Sequence, residues 1–392
     1  MDIGTGNGAG SGGARRDRLD EAVEELCGAV FPSLRRRDQR ERGRQYVRGL
    51  ITVAGRKSIR NMAHQTGGGG PAEEQALHHF IAGSTWEWEP IRAALTRYLT
   101  RTAPLNAWVV QPMAIPRGGA HSAGVGNRFD PYQGQMFQGQ QSFGTWFTSG
   151  GVATPVGWRM HREHDADESY ESCALTGVTE IARSSGGGVR PVVLDVPDIA
   201  TRATVVRFAQ ARVPLVARVG AGALMIPADA RRAGSGAVPM GARDVLQSVR
   251  GLRAPLEWAD PDRPGARRSS LVAGVRVWFA GREMLLFGEW TDARRQPVQA
   301  WMTDLTRAAP AALLRMTKET GRVSRAAGTS LGRVGLRDFT GRSPAGWHRH
   351  VTLASIAHAA LWQAGTLTPP PTPTNRPTPR PRCPGQSSPA GV

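Results

Sequence analysis

The chain has 392 residues, 40% hydrophobic and 21% charged, which is room for two or three folded units and excludes a small disulfide-stapled module. Fifty basic residues against 32 acidic ones give a formal charge of +18, and all the basic residues except Lys57 and Lys318 are arginines. Arginine forks match phosphate oxygens, so the excess points either to a polyanionic partner or merely to GC-rich coding; composition does not separate the two.

Residues 1–34 begin Gly-rich and run into Arg15, Arg16 and Asp17 without the apolar stretch of a secretory signal, so the expected compartment is cytoplasmic. Within them Leu19, Val23, Leu26 and Val30 recur at near-helical spacing, which predicts a flexible arm carrying one helix. Residues 35–104 read as a helical module, with patterns over 36–51, 71–81 and 88–99. Its first part holds the densest positive stretch of the chain, and there Arg36, Arg40, Arg44 and Arg48 recur every four residues. Such a stripe drifts about 40° per step around a helix and suits a phosphate backbone; a solvated face paired to Asp38 and Glu41 is the plainer alternative.

After Pro104 short apolar runs alternate with Gly and Pro, predicting strands at 107–110, 141–147, 152–160 and 189–194. A helix over 199–210 and a strand over 213–219 complete a β-α-β alternation, hence an α/β core over residues 105–363. Strand-like runs at 221–226, 272–279 and 284–290 mark a β-rich insertion at about 220–302, and helices resume at 308–318 and 351–363. The tail, 364–392, is rich in Pro, Thr and Arg without an acidic residue, a composition expected to stay disordered. No apolar run is long enough to span a bilayer, so no membrane partner is expected.

Taken singly, the chemical groups are weak signals. Cys27, Cys173 and Cys383 are too far apart and too few for a disulfide framework or a closed zinc site. His161, His164, Asp165, Asp167 and Glu168 lack regular ligand spacing and read as a polar loop. His348, His350 and His358 flank the last predicted helix and read as structural. The glycine clusters at 67–70 and 186–188 match no phosphate-binding fingerprint.

The order of several segments is more specific. Gly335-Leu-Arg-Asp-Phe-Thr-Gly-Arg-Ser343, followed by Gly346-Trp-His-Arg-His-Val-Thr-Leu-Ala-Ser-Ile-Ala-His-Ala359, resembles the C-terminal signature of bacterial insertion-sequence transposases of the DDE type. Trp108-Val-Val-Gln-Pro112 with Ile115-Pro-Arg-Gly118 is similar to that family's first catalytic strand and turn, and Val192-Val-Leu-Asp195 to its second. The resemblance implies an RNase H-like mixed sheet, double-stranded DNA as partner with room for a homodimer, and three carboxylates holding two Mg2+ ions. It places those three positions at Gln111, Asp195 and Ser324, so one carboxylate, Asp195, remains as a metal ligand. Glu319 lies five residues before Ser324, about 140° off the required helix face.

The expected protein is therefore a DNA-binding derivative of a transposase without nuclease activity or cofactor, whose Gln111, Asp195 and Ser324 still converge at one end of the sheet. Arg36, Arg40, Arg44, Arg48, Arg117, Arg325 and Arg349 are the candidate DNA contacts. Three alternatives stand beside it: an active, Mg2+-dependent transposase recruiting carboxylates such as Asp198 or Glu180, a regulator or scaffold that uses the old core for protein contacts, and the product of a decaying element without a role.

Overall fold

The computed structural model describes residues 9–367 except 67, 120, 131, 163–168, 185–189, 197–201, 230–237, 261–262, 264 and 291–295. Five helices open the chain: α1 (Ala9–Val30), α2 (Arg37–Thr52), α3 (Ile59–Thr66), α4 (Pro71–His78), which runs into a π-helical turn at His79–Gly83, and α5 (Glu89–Thr102). Strands β1 (Ala107–Pro116), β2 (Gly126–Asp130), β3 (Gln135–Ser149) and β4 (Val152–Met160) follow. Next come α6 (Tyr170–Ser184), β5 (Val192–Leu194), α7 (Arg202–Gln210) and β6 (Leu215–Arg218).

In the sheet these strands lie in the order β4-β3-β1-β5-β6. Three antiparallel strands are joined to two parallel ones: β1 pairs antiparallel with β3, β3 antiparallel with β4, and β1, β5 and β6 run parallel. Hairpin loops suffice for the first set, whereas the parallel strands need the crossovers that α6 and α7 supply. This is the order of an RNase H-like core.

The segment after β6 contributes β7 (Leu224–Pro227), β8 (Met240–Gly241), α8 (Ala242–Ser248), β9 (Ala254–Ala259), β10 (Arg267–Phe279), β11 (Arg282–Trp290) and β12 (Gln299–Thr303). It continues the same sheet, because β12 pairs antiparallel with β6 and brings β11, β10 and β7 with it. Among the described residues the sheet has 12 strands. The chain closes with α9 (Pro310–Gly328), α10 (Ser330–Arg333) and α11 (Pro344–Gln363).

Helix α11 carries the signature sequence and is buried from Trp347 to Leu361 with His348 alone half-exposed. A helix apolar on every face needs cover on every face. It packs on β4 on one side and on α1, α2 and the π-helical turn on the other, tying the helical region to the sheet. Beside it α2 packs closely on the other opening elements at two glycines: a Cβ at Gly43 would lie 2.9 Å from the Phe31 ring, and one at Gly49 2.9 Å from Met62 of α3.

Several boundaries differ from expectation. The helix expected at 19–30 begins at Ala9, so residues 9–18, expected as flexible arm, are helical. Its buried stripe, Ala22, Val23, Leu26, Cys27 and Val30, docks on α11, α5 and α2, and once nucleated a helix extends at little cost. Helix α9 was expected to stop at Lys318 and runs to Gly328, since Thr320 and Val323 prolong the face begun by Leu313, Leu314 and Thr317. Strand β1 runs six residues past Val110 because the long β3 offers it partners as far as Gly139. The predicted tail beyond residue 367, the acidic loop at 163–168, the glycines at 186–188 and Asp198 lie outside the described residues. Among the described residues no helix is long and apolar enough to cross a membrane.

Candidate functional site

The ends of β5 and β6 and the middle of β1 make the site. Val110, Leu194 and Ala217 lie side by side across β1, β5 and β6, so the next residue of each chain segment, Gln111, Asp195 and Arg218, forms one row. The parallel pairing stops at this row, the carboxyl end of β5 and β6, where open α/β sheets place their ligands, while β1 runs on against β3. Asp195 is anchored in that row by its backbone N–H, which donates to the Val110 carbonyl at 3.1 Å.

Ser324 reaches the row from α9, and the three positions expected to converge do so. The Gln111 Nε2 donates to Asp195 Oδ2 at 2.8 Å, to Ser324 Oγ at 3.1 Å and to the Thr320 carbonyl at 3.2 Å. Asp195 Oδ1 accepts from Arg218 Nη1 at 3.2 Å; the carboxylate is 6% exposed and the arginine side chain 31%. Both carboxylate oxygens are thus taken, one by an amide N–H and one by a guanidinium.

Tyr132 covers the same strand end. Its hydroxyl donates to the Asp195 carbonyl at 2.6 Å, while Asp130 Oδ1 accepts the backbone N–H of Tyr132 at 2.8 Å and of Gln133 at 3.3 Å, holding the turn. Burial, and next the Asp195 charge, push the Tyr132 hydroxyl far above its usual range, so it remains a donor.

This donor set does not fit two divalent ions. Mg2+ takes oxygen ligands and the paired site needs several carboxylates, but here one carboxylate faces an amide and a guanidinium. Glu319 points elsewhere, as its helix position required: it is buried and accepts from Asn106 Nδ2 at 3.1 Å and Arg322 Nη1 at 3.1 Å. Glu180 faces Arg159 at 3.8 Å from α6, and Asp304 accepts the Leu215 N–H at 2.9 Å. Among the described residues no three His, Cys, Asp or Glu side chains are grouped to hold a metal.

The expected DNA contacts fare unequally. Arg325 is exposed beside Ser324. Arg349 is corrected: it is buried, donates to the carbonyls of Trp86 and Ile81 at 3.0 and 2.9 Å, and lies over the Trp86 ring. A guanidinium so engaged has no face left for a phosphate. Arg117 also works internally, bonding Gln140 Oε1 and the carbonyls of Arg337 and Phe339. At the start of α2 and along it, Arg36 pairs with Asp38, Arg44 with Glu24 and Glu41, and Arg48 with Glu24, leaving Arg40 as the member of the stripe without an ion pair among the described residues.

The signature histidines are structural groups. His350 is held between the Tyr46 hydroxyl at 2.9 Å and the Gly335 carbonyl at 3.0 Å, the latter presented by a φ of +59° that suits only glycine well. His358 meets Ser330 Oγ at 2.7 Å, and His348 stacks on Trp88. Burial lowers His350 to about 4 and His358 to about 3, so both rings are neutral.

Arg218 and Tyr132 were not among the residues read from the sequence. A signal for Arg218 was present: Leu215-Val-Ala ends in a polar residue just as Val192-Val-Leu ends in Asp195. Tyr132 had none, because its turn reaches Asp195 only through tertiary packing.

No curated protein matches the chain. Residues 29–193 match the family described as DDE superfamily endonuclease, a stretch that contains Gln111 and ends two residues before Asp195. That match, with the strand order and the convergence of Gln111, Asp195 and Ser324, supports a transposase-like protein of the DDE type.

Proposed function

We propose that this protein binds double-stranded DNA through a transposase-derived core that no longer cleaves it. The observation that carries the reading is the closed network at Asp195, whose two oxygens are satisfied by Gln111 and Arg218. Two-metal catalysis needs free carboxylate lone pairs to hold both ions near the attacking and leaving oxygens. One carboxylate already paired with a guanidinium supplies too little charge and too few oxygen ligands for two ions. The family implies DNA as the partner, and the +18 charge supplies the attraction for it that needs no catalysis.

The test uses one preparation in two assays. Fluorescence anisotropy should detect binding to duplex DNA that weakens steeply with salt, and a supercoiled-plasmid assay in Mg2+ or Mn2+ should detect no nicking. Metal-dependent nicking that survives purification and disappears in Asp195→Asn would overturn the loss of cleavage. Absence of salt-dependent DNA binding would overturn the DNA-binding half and favour a protein scaffold.

A further inference from the structure

We propose that Arg218 is the resident cation of this site: it occupies the electrostatic place of a divalent ion at Asp195, so that restoring the missing carboxylates alone does not restore metal binding. The inference deepens the reading of the site as a transposase core without cleavage and rests on it.

Register makes Arg218 a fixed part of the site. It follows Ala217, which pairs with Leu194 across β5 and β6, and on its other side it lies opposite Trp301 of β12. Pinned between two strands, its backbone cannot move away from Asp195 without breaking the sheet where the inserted strands join the core. Its guanidinium reaches Asp195 Oδ1 at 3.2 Å, while Gln111 covers Oδ2 at 2.8 Å. A divalent ion bound by Asp195 would share that carboxylate with a full positive charge only a few ångströms away. The repulsion is felt at a buried carboxylate, where water screens it less than at the surface. Arginine does not release its proton to relieve it.

The alternative is that the site lacks metal affinity only because Gln111 and Ser324 are neutral, with Arg218 a passive neighbour. The two accounts separate in variants. Gln111→Asp/Ser324→Glu restores the three carboxylates with Arg218 in place; adding Arg218→Gln removes the cation, and adding Arg218→Lys keeps it. Far-UV circular dichroism and urea midpoints check that each is folded. Tb3+ luminescence sensitised by tryptophan reads occupancy, aided by Trp301 opposite Arg218 and buried. Mn2+ calorimetry reads it independently.

The double variant and the Lys triple variant should show weak Tb3+ binding. The Gln triple variant should bind at least ~100-fold more tightly, and Asp195→Asn in that background should abolish the gain. Equal affinity of the double and Gln triple variants would overturn the proposal, as would equal affinity of the Lys and Gln triple variants. Should the triple variants unfold, the smaller pair Gln111→Asp with and without Arg218→Gln still decides. Gln111→Asp/Arg218→Gln should show a Tb3+ signal that Asp195→Asn removes and that Gln111→Asp alone lacks, and equal signals in the pair would overturn the proposal. None of these outcomes depends on cleavage, so plasmid nicking by the unaltered protein would sink the functional reading separately.

Discussion

Lowering the pH should loosen this protein through the histidines of its signature helix. His350 and His358 are fully buried and neutral, with their pKa values drawn by burial from an ordinary 6.5 to about 4 and about 3. Between the folded and unfolded values the unfolded chain binds the proton and the folded one does not. Stability from this source is therefore complete above about pH 6.5 and is lost as pH falls toward the folded values. From pH 7 to pH 5 each ring costs about 2 kcal/mol, so the pair costs about 4 kcal/mol, and His348, also lowered by burial, acts in the same direction. Urea unfolding at the two pH values measures the loss, and the variant His350→Gln/His358→Gln should lose about 4 kcal/mol less between them than the unaltered protein. A total loss below about 1 kcal/mol in the unaltered protein, or an equal loss in the double variant, would refute the reasoning.

Other outcomes follow from the contacts described. Arg349→Met strands the Ile81 and Trp86 carbonyls and should cost about 2–4 kcal/mol in urea unfolding while leaving the salt slope of DNA binding unchanged; a flattened slope would return Arg349 to the DNA surface. Gln111→Leu removes the only donor on Asp195 Oδ2 among the described contacts and should destabilise by about 1–3 kcal/mol, and an unaltered urea midpoint would show that this bond is not formed in solution. Changing Arg36, Arg40, Arg44 and Arg48 together to Gln should shift the slope of log K against log salt by about 0.9, the share of Arg40, because the other three face carboxylates. A shift near four times that would mean that the pairs open on DNA.

Much of the architecture was legible in one dimension because it rests on local periodicity. Strand β4 falls on its expected bounds, and α2, α5 and the β-α-β alternation lie within a few residues of theirs, since an apolar repeat of two or 3.6 registers in any short window. The convergence of Gln111, Asp195 and Ser324 was legible for a different reason: the apolar runs Trp108–Val110 and Val192–Leu194 align β1 with β5 whatever side chain follows them. Glu319 could be dismissed from helix geometry alone, and its place against Asn106 and Arg322 agrees.

What one dimension does not hold is the identity of each side chain's partner. The same guanidinium chemistry at Arg349, Arg117 and Arg218 ends on backbone carbonyls, on a loop and on Asp195, and only the folded arrangement distinguishes these from a phosphate contact. The length of α1 and α9 likewise depended on surfaces contributed by α11 and the sheet, distant in sequence and invisible to a local window. Local pattern determined the elements and the row of strand ends. Which charge faces Asp195 was decided by the pairing of β5 with β6, because a register set by backbone hydrogen bonds brings together residues that no sequence spacing relates.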